Sequence, residues 1–455
     1  MRQRYNLSFR REQQKKERTR KLIAIVVIIF VFAVLGTLIY FAFNNINWGS
    51  LNISSSTTDN KKTTAVKEKS TEVDITINSV GEVGAYRDQL NAAKGDDGYD
   101  FNSSFEDIKK YTKKADLSLV DLETTLAGEP YTGYPKFNAP DELADALDGA
   151  GFDVAVTANE HALDSDAQGV EKTIDALEAA GLKSTGTRKD PGDKNYLITK
   201  VNGVQIGIVA YTEETSFNSE NRTLDGSSMS EEEQELVNSY SPNVDNDLDQ
   251  VQDTMEAARD AGAQIVICYF HWGDDYDHDA NDQEKEIVKS LVDMGADMIF
   301  ATHPHVAQEM ETVENEDGVD VPVYYSLGNF FTAQRSNTVG DRATEQGMIA
   351  QVKLTYNTEE NKITAMDNGY IGTWVNKYTD VDTNKNVYKI MPLVGDLEGN
   401  ELLESTDSID NAKQALEDLI EKLGDPIKTK ADKDADKSQS ESDSNSSDAD
   451  RETDE

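Results

Sequence analysis

The chain has 455 residues and carries 86 Asp and Glu against 44 Lys and Arg, which gives a formal net charge of −42 at pH 7. Such an acidic chain excludes nucleic acid as a partner, because phosphate binding needs a basic surface. Hydrophobic residues make up 37% of the sequence, which is enough for a globular core and excludes a protein that is disordered throughout.

The amino terminus combines a basic segment with a long apolar one. Residues 1–21 contain nine Lys or Arg and two Glu, so they carry +7 (9 − 2) and the rest carries −49 (−42 − 7). Residues 22–43 contain no charge and are long enough to cross a bilayer as a helix. No clear small-residue cleavage site follows, which favours a membrane anchor over a signal peptide or a buried helix. The positive-inside rule then predicts a cytoplasmic basic tail and an extracytoplasmic main domain.

Composition divides the remaining chain into a linker, a domain and a tail. Residues 44–72 are rich in Ser, Thr, Asn and Lys, which is typical of a flexible linker. Residues 426–455 are acidic and almost free of apolar side chains, which predicts a disordered tail. The folded domain is therefore expected over 73–425, with an acidic surface loop inserted at about 213–245.

Within the domain, strand-like and helix-like segments alternate. The predicted strands are 73–80, 117–122, 153–157, 204–211, 264–270, 297–302 and 321–327. Amphipathic helices are predicted between them, among them 245–261 and 282–294, each followed by a glycine. This alternation favours a layered α/β domain with a substantial parallel sheet. Residues 347–373 are expected to form a hairpin that completes a second sheet.

Titratable side chains follow several of the predicted strands. Because the carboxyl ends of parallel strands meet at one edge of a sheet, these side chains are expected to lie close together. Imidazole and carboxylate groups are common ligands of divalent metals, although each histidine alone could be an ordinary loop residue. The group comprises Glu82, Glu123, His161, His271, His303 and His305.

Two further sequence features bear on this predicted site. His303-Pro304-His305 places two imidazoles two residues apart, and on an extended segment both would face the same side. Such a pair suits a site for two metal ions, with one histidine for each ion. Arg87, five residues after Glu82, is a candidate for binding an anionic substrate group, and a surface salt bridge is the alternative.

These motifs, in this order, resemble the CapA capsule-synthesis family, the poly-γ-glutamate capsule proteins related to calcineurin-like metallophosphoesterases. The resemblance extends from about residue 74 to residue 333. It rests on Val80-Gly81-Glu82 through Arg87, Asp116 through Glu123, Asn138-Ala139-Pro140, Gly151-Phe152-Asp153 through Asp164, His271-Trp272-Gly273 through Tyr276, Gln283, Gly295-Ala296-Asp297 through His305, and Tyr325 through Phe330.

The resemblance implies a four-layer α/β/β/α sandwich of the metallophosphoesterase type, here behind one N-terminal transmembrane helix. It also implies one or two divalent metal ions, with Mn, Mg, Zn and Fe as the candidates. His161 matches the general acid of the related enzymes. By their positions in the motifs, the metal ligands are Glu82, Glu123, Glu160, His271, His303 and His305.

The sequence departs from the family pattern at four positions of this site. Glu82 replaces an aspartate, Asp121 and Glu160 each replace an asparagine, and Thr302 replaces a glycine. The carboxylates at Asp121 and Glu160 change the net charge of the site, and the longer side chain of Glu82 changes the geometry of any bound metal. Enzymatic activity therefore stays open.

Two functions follow from these features. The first is a membrane-anchored, extracytoplasmic component of poly-γ-glutamate-type capsule synthesis or export. Its expected partners are membrane synthase subunits and an anionic polymer. The second is a metal-dependent hydrolase of phosphoester bonds or of capsule or cell-wall polymer bonds, in which a metal-activated water is the nucleophile.

Overall fold

The computed structural model describes residues 71–216, 221–244 and 247–428. All of them belong to the unit Lys69–Glu455, one of the two into which the chain divides. No helix in these ranges is long and apolar enough to cross a membrane. The predicted membrane helix 22–43, the basic tail and nearly all of the linker lie outside the described residues.

The strands and helices alternate through most of the domain. The strands are β1 (Glu72–Val83), β2 (Leu117–Leu122), β3 (Val154–Val156), β4 (Lys183–Thr185), β5 (Leu197–Val201), β6 (Val204–Glu213), β7 (Thr223–Leu224), β8 (Ser227–Ser228), β9 (Ser239–Tyr240), β10 (Ile265–His271), β11 (Met298–Thr302), β12 (Met310–Glu314), β13 (Asp320–Tyr324), β14 (Asn329–Phe331), β15 (Gln346–Asn357), β16 (Lys362–Thr379) and β17 (Asn386–Pro392). The α-helices are α1 (Arg87–Ala93), α2 (Asn102–Phe105), α3 (Lys109–Thr112), α4 (Glu142–Ala150), α5 (Asp166–Ala180), α6 (Glu231–Leu236), α7 (Asp249–Asp260), α8 (Asp282–Asp293), α9 (Ser336–Val339), α10 (Glu401–Ser405) and α11 (Ile409–Leu423).

The strands form two large sheets, each with parallel strands at its centre. The first has the order β17-β16-β15-β1-β2-β3-β4, and β14 also pairs with β1. The second has the order β12-β13-β11-β10-β6-β5, and β9 pairs with β6. Strands β1 to β4 run parallel in the first sheet, as do β6, β10, β11 and β13 in the second. The prediction of a substantial parallel sheet is confirmed for both.

Buried side chains show how the layers pack. One apolar cluster joins Ile77 of the first sheet to Ile267 of the second, so these two sheets face each other. A second cluster packs α4 and α5 on the outer face of the first sheet. A third packs α7 and α8 on the outer face of the second sheet. The layers therefore follow the order helices, sheet, sheet, helices, and both sheets are covered on both faces.

Local sequence explains why these elements begin and end where they do. Strand β10 reads as a continuous apolar run because both of its faces are buried, as is usual for a central parallel strand. Helix α8 begins with a capping box between Asn281 and Glu284. Helix α5 ends at Gly181, whose φ of 104° is the left-handed conformation that glycine adopts most readily.

The structure differs from the sequence predictions in two places. Strands β15 and β16 form the predicted hairpin, but β15 pairs with β1, so the hairpin extends the first sheet and the prediction that it completes a second sheet was wrong. The inserted segment at 213–245 contains short strands and the helix α6, which a capping box between Ser230 and Glu233 begins. Near the carboxyl terminus, Ile427 donates its backbone N–H to the Tyr370 carbonyl, and residues 429–455 lie outside the described residues.

Candidate metal centre

The carboxyl ends of strands from both sheets meet at one place. Strands β1, β2 and β3 bring their ends there from the first sheet, and β10 and β11 from the second, as expected for a ligand site in an open α/β sheet. We call the side chains gathered there the histidine–carboxylate cluster. Its members are Glu82, Asp121, Glu123, Glu160, His161, His271, His303 and His305. All seven predicted ligand and acid residues thus lie together, and Asp121 joins them.

Glu82 connects the two sheets. Its side chain is fully buried, and its Oε1 accepts a hydrogen bond from the backbone N–H of His303 at 2.6 Å. Its other oxygen, Oε2, is buried without a hydrogen-bond partner in the described chain. Burial, reinforced by the nearby Asp121, raises the pKa of Glu82 to about 7. The carboxylate is therefore destabilised in its ionised form unless a cation lies next to it.

Glu123 shows the same property more strongly. It is 1% exposed, and neither of its carboxylate oxygens has a hydrogen-bond partner among the residues described. Burial and the charges of Glu82 and Asp121 raise the pKa of Glu123 well above its usual value. The side-chain oxygen of Asn159 is also buried and unpartnered within the same ranges. Because an unpaired buried oxygen is costly, several of them converging on one place fit a site for a cation.

The imidazoles supply nitrogen donors at the same place. Nε2 of His271 and Nδ1 of His303 are 3.0 Å apart. The ring centroids of His303 and His305 are 6.1 Å apart. Burial and the charge of His303 lower the pKa of His271 well below its usual value, so His271 stays neutral and can donate a lone pair to a metal.

The backbone of the His-Pro-His segment is not extended, contrary to the sequence prediction. His303 has a φ of 111° and His305 a φ of 61°, and residues with side chains seldom adopt such positive values. The hydrogen bond from His303 N–H to Glu82 holds this conformation. Both rings reach the cluster because of these turns, and backbone strain of this kind is common where side chains are positioned for function.

Glu160 is the member that the possible ligand groups share. Three sets of donor atoms lie within 4.8 Å of one another, and they are Glu160 with His271 and His303, Glu160 with Glu123 and His161, and Glu160 with Asp275 and His305. Burial raises the pKa of Glu160, but the imidazoles of His303 and His161 outweigh it and lower the pKa below its usual value. Glu160 is therefore ionised and placed to contact more than one ion.

Asp121 and Thr302, two of the departures from the family pattern, contact each other. Oδ2 of Asp121 accepts a hydrogen bond from the Thr302 hydroxyl at 2.8 Å and lies 3.3 Å from Nδ1 of His271. Its Oδ1 accepts from the Asn159 side-chain amide at 2.9 Å. Since both oxygens have partners, Asp121 orients the ligands around it. Sequence reasoning noted Asp121 only as a substitution and did not assign it this place.

His161 pairs with a carboxylate, that of Asp164, which is not one of the unpaired carboxylates. Its Nδ1 lies 2.8 Å from Oδ2 of Asp164, and its Nε2 lies 3.7 Å from Glu160. Burial lowers the pKa of His161, but the hydrogen bond and charge of Asp164 outweigh it and raise the pKa above its usual value. The protonated imidazole is thus favoured, with Nε2 on the cluster side, which is the arrangement a proton donor needs.

Arg87 lies apart from the cluster. Its side chain is exposed and donates a hydrogen bond to the Tyr131 carbonyl at 3.2 Å. It lines a cleft of about 290 Å³ together with Tyr86, Tyr134 and Tyr276, which we call the tyrosine cleft. Arg87 therefore does not contact the predicted ligands, and any substrate group that it binds would lie beside them.

A larger cavity of about 490 Å³ opens beside the cluster, where Glu160, His271 and His303 line it. Its remaining carboxylates are Glu213, Glu214, Asp225 and Asp274. We call it the acidic cavity. Most of these acids belong to the segment 213–245, which was predicted only as a surface loop. Its place beside the cluster depends on contacts between residues that are distant in sequence, so local sequence did not predict it.

The donor set determines what the site can do chemically. Imidazole nitrogens together with carboxylate oxygens suit Mn, Fe or Zn, and an all-oxygen shell would suit Mg better. A bound divalent ion would act as a Lewis acid and lower the pKa of a bound water. The chain itself would provide Glu82, Glu123, Glu160 and the three histidines as ligands, and His161 as a proton donor.

Two solved structures that match the chain share little sequence with it. A hypothetical protein from Thermus thermophilus has a TM-score of 0.38 at 14% identity, over 66% of this chain and 99% of that one. A protein described as a novel phosphatase, from Mycoplasma pneumoniae, has a TM-score of 0.37 at 13% identity, over 66% of this chain and 94% of that one.

Two curated relatives are more similar in sequence. The capsule biosynthesis protein CapA of Bacillus anthracis is 29% identical over 249 residues, which are 53% of this chain and 56% of that protein. The chain thus spans about half the length of that relative. The PGA biosynthesis protein CapA of Bacillus subtilis (strain 168) is 26% identical over 348 residues, which are 74% of this chain and 78% of that protein.

A family match includes every member of the histidine–carboxylate cluster. The family described as "Bacterial capsule synthesis protein PGA_cap" matches residues 76–334, which is more than half of the chain. The cluster, strands β2, β3, β10 and β11, and most of β1 lie inside this range. The chain is therefore a member of the PGA_cap family of bacterial capsule synthesis proteins.

Proposed function

We propose that the protein is a membrane-anchored component of anionic capsule synthesis or export, and that its folded domain lies outside the cytoplasm. Residues 22–43 would form the anchor, and membrane synthase subunits would be its partners. The histidine–carboxylate cluster would hold divalent ions, with Mn, Zn, Fe or Mg as the candidates. A metallophosphoesterase-like sandwich would support this site.

One observation carries this proposal. The domain belongs to a capsule synthesis family. Within it, Oε2 of Glu82 and both carboxylate oxygens of Glu123 are buried without hydrogen-bond partners in the described chain. They lie beside the imidazoles of His271 and His303. A purely structural role would not require so many costly unpaired groups. Bound cations would satisfy them, and the site would then be the functional centre of the domain.

A second candidate function is hydrolysis by the same site. The contact between His161 and Asp164 favours it, because a site that only binds metal has no need of a protonated imidazole beside its ligands. The bond broken would be a phosphoester, or a bond of the capsule or cell-wall polymer. His161 would protonate the leaving group, and Asp164 would hold its ring in place.

One experiment tests the proposal and separates the two candidates. In a capsule-forming host that lacks this gene, we expect the wild-type chain to restore surface capsule and His303→Ala to fail. His278→Ala is the matched control, because His278 lies outside the cluster, is half exposed and pairs with Asp341 at 2.6 Å. Capsule would be measured by quantitative polymer extraction, with equal protein amounts verified by immunoblot.

The outcomes are distinct. A capsule that persists without the gene, or that His303→Ala restores fully, would contradict the proposal. If His161→Ala restores capsule as the wild-type chain does, metal binding suffices and hydrolysis is not required. If His161→Ala fails while its metal content is unchanged, the site acts as a hydrolase during capsule formation.

A further inference from the structure

The two cavities beside the histidine–carboxylate cluster differ in charge. The acidic cavity carries five carboxylates, and none of its lining residues that the structure describes is Lys or Arg. Arg222, next to it, is neutralised by salt bridges to Glu214 and Asp247. Charges of one sign that line a cavity create a field that repels ligands of the same sign. Before any cation binds, the acidic cavity would therefore disfavour a polyanionic chain.

The tyrosine cleft is less acidic, because its lining residues carry one charge of each sign. Arg87 and Asp88 are its charged residues, and Asp88 accepts a hydrogen bond from the Tyr388 hydroxyl at 3.5 Å. Arg87 forms no salt bridge with any carboxylate of the described residues, and one of its nitrogens contacts the Tyr131 carbonyl. The remaining guanidinium donors of Arg87 are directed to no acid in the described part of the chain, so they are available to an external anion.

Aromatic side chains connect this cleft to the cluster. The ring of Tyr276 lies 5.9 Å from the ring of His305. Phe137 packs between Tyr134 and His161, with ring separations of 6.2 Å and 4.6 Å. The tyrosine cleft therefore adjoins His305 through Tyr276, and His161 through Tyr134 and Phe137.

The exposure of Tyr134 supports a binding role for the cleft. Its side chain is 73% exposed, so the ring is accessible to a ligand. Tyrosine offers a flat apolar face and a hydroxyl, and such rings contribute much of the contact area in binding clefts. An arginine beside them adds a planar fork that matches a carboxylate.

We propose that the tyrosine cleft is the subsite for an anionic polymer, with Arg87 bound to a side-chain carboxylate and the tyrosines packed on the aliphatic part of the chain. This inference rests on the proposed function, since it assumes a carboxylate-bearing capsule polymer. The polymer approaches the cluster from the side of His161 and His305.

A binding measurement tests this proposal. The full chain in detergent would be titrated with a fluorescently labelled oligo-γ-glutamate, and binding followed by fluorescence polarisation. We expect Arg87→Gln to weaken binding about tenfold at low salt, because it removes a charge-assisted contact. Tyr134→Ala should also weaken it. Because Arg87 is exposed, its contribution should shrink as salt is added.

Matched variants provide the controls. Arg342→Gln removes another exposed arginine, which pairs with Asp418 and lines neither cavity, and it should bind as the wild-type chain does. Asp225→Asn removes a charge from the acidic cavity and should not weaken binding. Unchanged thermal unfolding of Arg87→Gln would show that the variant is folded.

Three outcomes would overturn the proposal. They are an absence of binding by the wild-type chain, equal binding by Arg87→Gln, and full displacement of the probe by an uncharged dextran oligomer, which would identify a glycan subsite instead. These outcomes differ from failure of the proposed function. That failure would appear as a capsule that does not depend on the gene, whatever the probe binds.

Discussion

At the scale of single residues, Asp121 determines how His271 can act. Its Oδ2 lies 3.3 Å from Nδ1 of His271, and Glu123 lies near Nε2 of the same ring at 4.0 Å. A carboxylate at Nδ1 favours the proton there and leaves Nε2 as the unprotonated nitrogen that could bind a metal. Thr302 donates to the same Asp121 oxygen, so these two departures from the family pattern act as one unit.

Replacing this carboxylate should weaken metal binding without removing a ligand. We expect Asp121→Asn, which restores the usual family residue, to lower divalent metal affinity about 10- to 100-fold, because an amide orients His271 less strongly. Affinity would be measured by competition with a chromophoric chelator. Thr302→Ser keeps the hydroxyl and should retain affinity. Unchanged affinity in Asp121→Asn would show that the contact has no orienting role.

The residue scale also shows what the sequence could predict. The histidines were recognisable because each follows a buried apolar run, and position in the motifs identified Glu82, Glu123 and Glu160. The role of Asp121 depends on contacts with His271 and Thr302, which are 150 and 181 residues away in the chain. Nothing local to Asp121 encodes those contacts.

At the scale of elements, a bulge in β1 directs Glu82 into the site. The pairing of β1 with β2 shifts register between Val80 and Glu82, at Gly81. Val80 and Val83 both pack on the helix side, three residues apart, while Ile77 faces the other sheet. The extra residue thus interrupts the alternation of the strand and turns Glu82 towards His303. Alternation in the sequence alone would have placed Glu82 on the helix side.

Gly81 is required for the close approach at this bulge. A Cβ at position 81 would lie 1.9 Å from the Gly328 carbonyl oxygen, which is backbone and cannot turn away. We expect Gly81→Ala to lower the free energy of unfolding by about 1–3 kcal/mol, the usual cost of overpacking. Urea unfolding would measure it. Gly192→Ala, which meets nothing within 4 Å, is the control, and equal midpoints for the two variants would refute this explanation.

At the element scale the sequence predicted most of the fold. The buried parallel strands were correct because continuous apolar runs mark them. The hairpin of β15 and β16 was identified, but its sheet was not, because its pairing with β1 joins residues nearly 300 positions apart. Such long-range pairing depends on which sheet edge is free to accept another strand. The local composition of the hairpin does not determine which edge that is.

At the scale of the whole molecule, the histidine–carboxylate cluster joins the two sheets. Thr302 and His303 of the second sheet donate hydrogen bonds to Asp121 and Glu82 of the first. The Tyr269 hydroxyl adds another such bond to the Val80 carbonyl at 2.8 Å. The site therefore also holds the layers together, and a bound cation would stabilise the folded domain by binding the native state alone.

The charge of the whole chain is consistent with this account. The net charge of −42 disfavours a polyanion in general, yet the structure offers Arg87 and the tyrosine cleft as a place where one could bind. Metal ions in the cluster would offset buried carboxylates that otherwise repel one another. We therefore expect the proposed function to depend on the cluster being loaded with metal.

Metal content tests this claim most directly. The purified full chain would be supplied with Mn²⁺, Zn²⁺ and Fe²⁺ in turn, freed of excess metal and analysed by inductively coupled plasma mass spectrometry, with His303→Ala and His278→Ala alongside. We expect a stoichiometric amount of bound ion in the wild-type chain and in His278→Ala, and its loss from folded His303→Ala. No stoichiometric ion in the wild-type chain, or equal metal content in His303→Ala, would contradict the account.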